Sequence, residues 1–101
     1  MARVAFLMEL RPGAEAVYKE KHDQIWPELA QRLREAGVRN YSIFRRDLTL
    51  FAYLECDDPA RLPGGSDPIV RRWWDMMAPY MVYTEDNAPR QDPLEEVFHL
   101  D

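Results

Sequence analysis

The 101-residue sequence holds one cysteine and four glycines. It has no apolar run approaching the ~20 residues that cross a bilayer; Ala5-Phe6-Leu7-Met8 stops at Glu9. With a single cysteine, Cys56, no intramolecular disulfide can brace the fold. The N-terminus lacks the basic start, long apolar stretch and small-residue cleavage site of a secretory signal, so a cytoplasmic location is expected. Basic charge is also short: 13 Lys+Arg against 18 Asp+Glu leave a net charge of -5, which disfavours nucleic acid and anionic membranes as partners. Paired Cys/His spacings are missing, His22 and His99 stand far apart, and Gly64-Gly65 opens no phosphate-binding pattern. Neither a metal nor a nucleotide cofactor is expected. Ser42 and Ser66 lack the flanking glycines of a nucleophile elbow, and the carboxylates of Glu55 and Asp57 disfavour a thiolate at Cys56.

What is present suits one domain over residues 1–101: 47% hydrophobic and 31% charged residues supply one core and a solvated surface. From Arg3 to Leu10, Val4, Phe6, Met8 and Leu10 alternate with Ala5 and Leu7, the pattern of a strand covered on both faces. Ala14 to Ala36 carries Ala14, Tyr18, His22, Ile25, Leu29 and Leu33 at helical steps, with a kink or split expected near Trp26 because Pro27 follows. Tyr41 to Arg45 and Leu48 to Cys56 read as a hairpin turning at Arg46-Asp47. Ile69 to Met81 resumes a helical pattern, with Asp67 as its cap and Pro68 in its first turn. Thr84 to Pro93 reads as loop and Leu94 to Leu100 as a closing strand.

The order β-α-β-β-α-β describes an α+β, ferredoxin-like sandwich, an antiparallel sheet with two helices on one face. Phe51 and Tyr53 lie opposite Leu50, Ala52 and Leu54 on the third strand, so both sheet faces are apolar. A second copy of the chain is the simplest cover for the outer one, and a homodimer is expected.

His22 shares a helical stripe with Tyr18 and Trp26. An imidazole there can move a proton near neutrality, with the phenol orienting a hydroxylated substrate; equally, it can be a histidine satisfied at the core edge. Trp73 and Trp74 point about 100° apart on a helix, so at least one packs. Indole faces beside tyrosines also suit a sugar, whose C–H faces stack while its hydroxyls bond at the rim. Tyr41, at the start of a strand, either projects into the same cleft or is an ordinary strand aromatic.

Read together, Tyr18-Lys19-Glu20-Lys21-His22, Ile25-Trp26-Pro27-Glu28-Leu29, Asn40-Tyr41-Ser42-Ile43, Arg72-Trp73-Trp74, Asp86-Asn87-Ala88-Pro89 and Glu96-Val97-Phe98 resemble the L-rhamnose mutarotase family over nearly the whole chain. The connector between Cys56 and Trp73, short and rich in Pro and Gly, and Thr84-Glu85 before Asp86 depart from the family pattern. The resemblance implies a small cytoplasmic homodimer with a dimeric α/β barrel that interconverts the α and β anomers of L-rhamnose without metal or organic cofactor. It places the proton-donating histidine at His22 and the sugar-binding residues at Tyr18, Tyr41, Trp73 and Trp74. On that basis His22 is the general acid toward the ring oxygen, Tyr18 assists it, and the base is unassigned. The competing classes are a cofactor-free monooxygenase of similar dimeric architecture and a non-catalytic sugar-binding module.

Overall fold

Alternating apolar side chains produce β1, Ala2–Glu9, in the computed structural model, which describes residues 1–101. Phe6 and Met8 on one face are buried, and Ala5 and Leu7 occupy the other. The stretch from Ala14 to Ala36 is two helices rather than one: α1, Glu15–Asp23, and α2, Pro27–Glu35. Proline disfavours helical geometry at the residue before it and suits the first turn of a new helix. Trp26 is accordingly extended (φ -61°, ψ 128°) and Pro27 starts α2. Trp26 therefore leaves the α1 stripe it was expected to share with Tyr18 and His22.

The hairpin forms as expected from β2, Arg39–Arg46, and β3, Thr49–Cys56. Its turn falls at Asp47-Leu48 instead of Arg46-Asp47, and Asp47 takes the left-handed conformation (φ 53°) that short polar side chains tolerate. The third helix, α3, spans Pro68–Met77, capped by Asp67, whose carboxylate accepts from the backbone N–H groups of Ile69 and Val70. It stops before the expected Met81 because Pro79 lacks the N–H that would bond the carbonyl of Asp75; a 3-10 turn over Ala78–Tyr80 follows.

The expected closing strand over Leu94 to Leu100 does not form. Only β4, Asp92–Pro93, pairs with β1, at Leu7 and Phe6, and Leu94 adds one bond to the carbonyl of Ala5. Beyond it Glu96 pairs with Arg3 at 2.8 Å, while Val97, Phe98 and Leu100 remain exposed. The segment Thr84 to Pro93, expected as plain loop, contains a 3-10 turn over Glu85–Asn87 as well as β4.

The sheet order is β2-β3-β1-β4, antiparallel throughout. The result is an α+β fold with three helices, one more than expected because the first divides. One hydrophobic cluster of 15 buried residues joins Phe6, Met8, Leu50, Ala52 and Leu54 of the sheet to Tyr18, Leu29, Val70 and Trp73 of the helices. On the opposite face, Leu7 pairs with Phe51 and Phe51 with Phe44, forming an apolar row across β1, β3 and β2 in which Phe44 is 67% exposed. No helix is long and apolar enough to cross a membrane.

Candidate active site

Between the helices and the inner sheet face lies an open cavity of about 1210 Å³. All five residues singled out in the sequence line it: Tyr18, His22, Tyr41, Trp73 and Trp74. They come from three different elements. α1 supplies Tyr18 and His22, one turn apart, because residues at i and i+4 share a helix face. β2 supplies Tyr41 at a β-bulge: the pairs Arg39–Glu55 and Ser42–Tyr53 leave one extra residue on β2, with Asn40 in the left-handed region (φ 50°). Bulges re-aim side chains, and this one lets Asn40 and Tyr41 both line the cavity. α3 supplies the tandem tryptophans.

The imidazole of His22 is fixed on three sides. Its Nδ1–H donates to the carbonyl oxygen of Tyr18 at 2.9 Å. Its ring stacks on the Tyr18 ring (centroids 4.1 Å apart, planes at 28°) and meets Trp73 edge to face (5.3 Å, 88°). With Nδ1 engaged by an acceptor, the neutral ring carries its lone pair on Nε2. Burial lowers the His22 pKa from the usual imidazole value, against the opposing pull of the Tyr18 carbonyl and the charge of Asp23. The ring is thus neutral at rest and ready to accept a proton.

Both phenols hold their protons. Burial raises the Tyr18 pKa far above the ordinary phenol value, with the charge of Tyr41 adding to it, and burial of its phenol pushes Tyr41 up to about 12. Tyr41 nonetheless keeps 39% of its surface exposed, as fits a residue at a cavity wall. Each phenol is a hydrogen-bond donor at any physiological pH.

The two tryptophans divide as their 100° separation requires. Trp73 is buried, held edge to face by both His22 and Trp26 (5.1 Å, 89°), so it braces the imidazole. Trp74 is half-buried and lies against the Gly64-Gly65 loop, where a Cβ on Gly65 would stand 3.2 Å from its ring. That leaves Trp74 as the indole with a partly open surface. Trp26, though outside α1, still reaches the site through Trp73.

The chain as a whole has counterparts among known proteins. A family model described as L-rhamnose mutarotase matches residues 3–100. The chain is 45% identical to the L-rhamnose mutarotase of Formosa agariphila over 108 residues, with all of each chain covered. It is 43% identical to those of Burkholderia ambifaria and Listeria monocytogenes, with 99% of each chain covered. The chain belongs to the L-rhamnose mutarotase family. Its fold agrees: the crystal structure of the L-rhamnose mutarotase from Formosa agariphila superposes with a TM-score of 0.92 at 44% identity, covering 100% of both chains.

Among the cavity-lining residues of this family member that were assigned no role in the site from the sequence are Glu15 and Asn87. Glu15 stands on the α1 stripe of Tyr18 and His22, and its Oε1 is buried without a protein partner. Its spacing of three and seven from those residues was a usable signal, masked by the abundance of surface glutamates. Asn87 enters from the 3-10 turn at the rim. Only the folded loop brings it there, and no periodicity marks it. Elsewhere, Cys56 is fully buried, and no cluster of three or more His, Cys, Asp or Glu side chains is placed to hold a metal ion.

Proposed function

We propose that the chain interconverts the α and β anomers of L-rhamnose in the cavity bounded by Tyr18, His22, Tyr41, Trp73 and Trp74. The observation that carries this is the His22 imidazole, tied at Nδ1 to the Tyr18 carbonyl and free at Nε2, in an aromatic-walled cavity of a mutarotase-family chain.

Anomers exchange by ring opening. Nε2 of neutral His22 takes the proton of the anomeric hydroxyl; the electron pair left on that oxygen forms the aldehyde C=O, and the bond from C1 to the ring oxygen breaks. The imidazolium then returns its proton, from Nε2, to the ring oxygen. Both oxygens are bonded to C1, so one nitrogen reaches each in turn. The aldehyde rotates about C1–C2, presents its other face, and the same transfers run backward to close the opposite anomer. His22 is thus the general acid toward the ring oxygen and also supplies the base that the sequence left unassigned. Tyr18 and Tyr41, protonated throughout, donate to sugar oxygens, and Trp74 offers an indole face to the apolar side of the ring. Proton transfers are all the reaction asks for, and side-chain acids and bases supply them without a metal or organic cofactor. General acid–base catalysis contributes about 10²–10⁴-fold, or about 3–5 kcal/mol, a fitting size for a reaction that already proceeds in water.

The working unit in this reading is a homodimer of the single domain 1–101, in the reducing cytoplasm that suits a lone thiol. The apolar row Leu7–Phe51–Phe44 on the outer sheet face supports it, because a second copy packed there would close the two sheets into an α/β barrel. The catalytic reading is tested by exchange NMR on L-rhamnose anomers with wild type and His22→Ala. Wild type should accelerate exchange and the variant should lose most of that acceleration; equal rates in both remove His22 from the mechanism.

A further inference from the structure

The loop from Thr84 to Pro89 is held in an unusual shape. Asp86 (φ 61°) and Asn87 (φ 60°) are both left-handed, a conformation that non-glycine residues rarely adopt and almost never in succession. Around them Thr84 closes the turn twice on the carbonyl of Ala88, through its N–H at 2.7 Å and its Oγ1 at 3.2 Å. The loop is also tied to α3. Asn87 Nδ2 donates to Asp75 Oδ1 at 3.1 Å, and Arg71 pairs with the same carboxylate oxygen at 3.3 Å and with Asp86 at 3.8 Å.

Those ties fix the direction of the Asn87 amide. A carboxylate only accepts hydrogen bonds, so the nitrogen end of the amide faces Asp75 and the oxygen end faces away from it. Asn87 lines the same cavity as His22 and Trp74, and Asp75 follows Trp74 on α3. A strained backbone thus delivers a pre-set acceptor to the rim of a cavity in which the Tyr18 and Tyr41 phenols are donors, adding to the acceptors His22 Nε2 and Glu15 Oε1. A pyranose presents hydroxyls that need acceptors as well as donors.

We infer that Asn87 is a further sugar-contacting residue, whose Oδ1 accepts a hydrogen bond from one hydroxyl of the bound pyranose, with Asp75 as the positioning residue that holds it. This rests on the mutarotase reading. Asn87 thereby contributes to the choice among deoxy sugars that differ in that hydroxyl.

The experiment compares wild type, Asn87→Gly, Asp75→Ala and Asp75→Asn by exchange NMR on L-rhamnose and its monodeoxy analogues. Glycine takes the left-handed conformation freely, so Asn87→Gly removes the amide and keeps the loop. Its KM for L-rhamnose should rise about three- to tenfold with turnover at saturation unchanged, the size of one neutral hydrogen bond. For one monodeoxy analogue, the one lacking the partner hydroxyl, wild type and Asn87→Gly should give the same KM. Asp75→Ala should raise KM in the same direction and Asp75→Asn, which keeps an acceptor oxygen, should restore it. Should Asn87→Gly not fold, the Asp75 pair decides by the same pattern across the analogues. An unchanged KM, or a rise equal for every analogue, overturns the role of Asn87. If wild type accelerates no exchange at all, the mutarotase reading falls and this inference with it; normal wild-type exchange with an indifferent Asn87→Gly overturns the inference alone.

Discussion

His22 donates from Nδ1 to the carbonyl of Tyr18 at 2.9 Å while its ring stacks on the ring of that same residue at 4.1 Å. One neighbour therefore sets both the tautomer and the orientation of the imidazole, and the nitrogen left over is Nε2. Because burial depresses the His22 pKa, the neutral, proton-accepting form persists to a lower pH than for a free imidazole. Exchange catalysis should be flat near neutrality and fall on the acid side, with its inflection below the ordinary imidazole value of about 6.5. Stability follows the same group. Between the folded pKa and about 6.5 the unfolded chain binds more protons, so the folded state loses stability as pH drops through that window and keeps it above. A pH–rate profile by exchange NMR and urea unfolding at several pH values check the two halves; an activity that rises as pH falls would contradict the neutral resting state.

Tyr18→Phe separates the phenol from the ring. The stack on His22 and the backbone carbonyl that fixes Nδ1 both survive the change, so the acid limb of the pH profile should stay where it is. KM for L-rhamnose should rise about three- to tenfold from loss of one hydrogen bond. An unaltered KM would mean that the Tyr18 hydroxyl does not touch the sugar.

The tandem tryptophans should respond differently. Trp73 is 8% exposed and braces both His22 and Trp26, so Trp73→Ala should cost about 3–5 kcal/mol of stability and lower turnover through a loosened imidazole. Trp74→Ala, from a half-buried position against Gly65, should cost less stability and act on KM. Denaturant titration alongside exchange kinetics distinguishes the two patterns.

Much of this was legible because local patterning and tertiary packing agree. Period-two alternation in Val4 to Leu10 and Leu48 to Cys56 produced β1 and β3 where expected, and Asp67-Pro68 marked the start of α3. The five cavity residues were legible as a set through the family resemblance, since their meeting depends on three elements packing together. Leu94 to Leu100 misled because LEEVFHL has strand composition while Pro93 donates no backbone hydrogen bond and Glu96 is drawn to Arg3. Pattern reports a preference for extended backbone, and pairing needs an available edge. Asn87 stood in the Asp86-Asn87-Ala88-Pro89 motif, but its place at the cavity was not legible, because it comes from two left-handed residues and a contact twelve positions away, at Asp75.

Asp67 links two helices that frame the cavity. Its carboxylate caps α3 through Ile69 and Val70 and pairs with Arg32 of α2 at 2.5 Å. Burial acts to raise its pKa, but the Arg32 guanidinium and the two backbone N–H groups outweigh it and hold the carboxyl below its ordinary value. A depressed carboxylate adds stability that is present above its unfolded pKa and lost as pH falls through the folded one. Asp67→Ala should therefore lower the melting temperature at neutral pH and flatten the acid fall in stability below about pH 4. Asp67→Asn, which keeps a cap acceptor, should recover part of the neutral-pH loss. Thermal melts across pH compare the three proteins.

Phe51 tests the outer sheet face. It stands in register with Leu7 on one side and Phe44 on the other, with Phe51 44% and Phe44 67% exposed in the single chain. A contiguous apolar row of this kind is unfavourable in water, and in the proposed homodimer its own copy across a two-fold axis would cover it. Wild type should sediment at twice the 12.0 kDa chain mass. Phe51→Asp places a charge in the middle of the row, where a partner would have to desolvate it, and should sediment as the single chain with its circular dichroism spectrum retained. The inner face, with Leu50 and Ala52 buried against the helices, is untouched by the change, so the monomer keeps its core. If the variant remains dimeric, the two copies meet elsewhere, and the exposed tail carrying Val97 and Phe98 becomes the surface to mutate next.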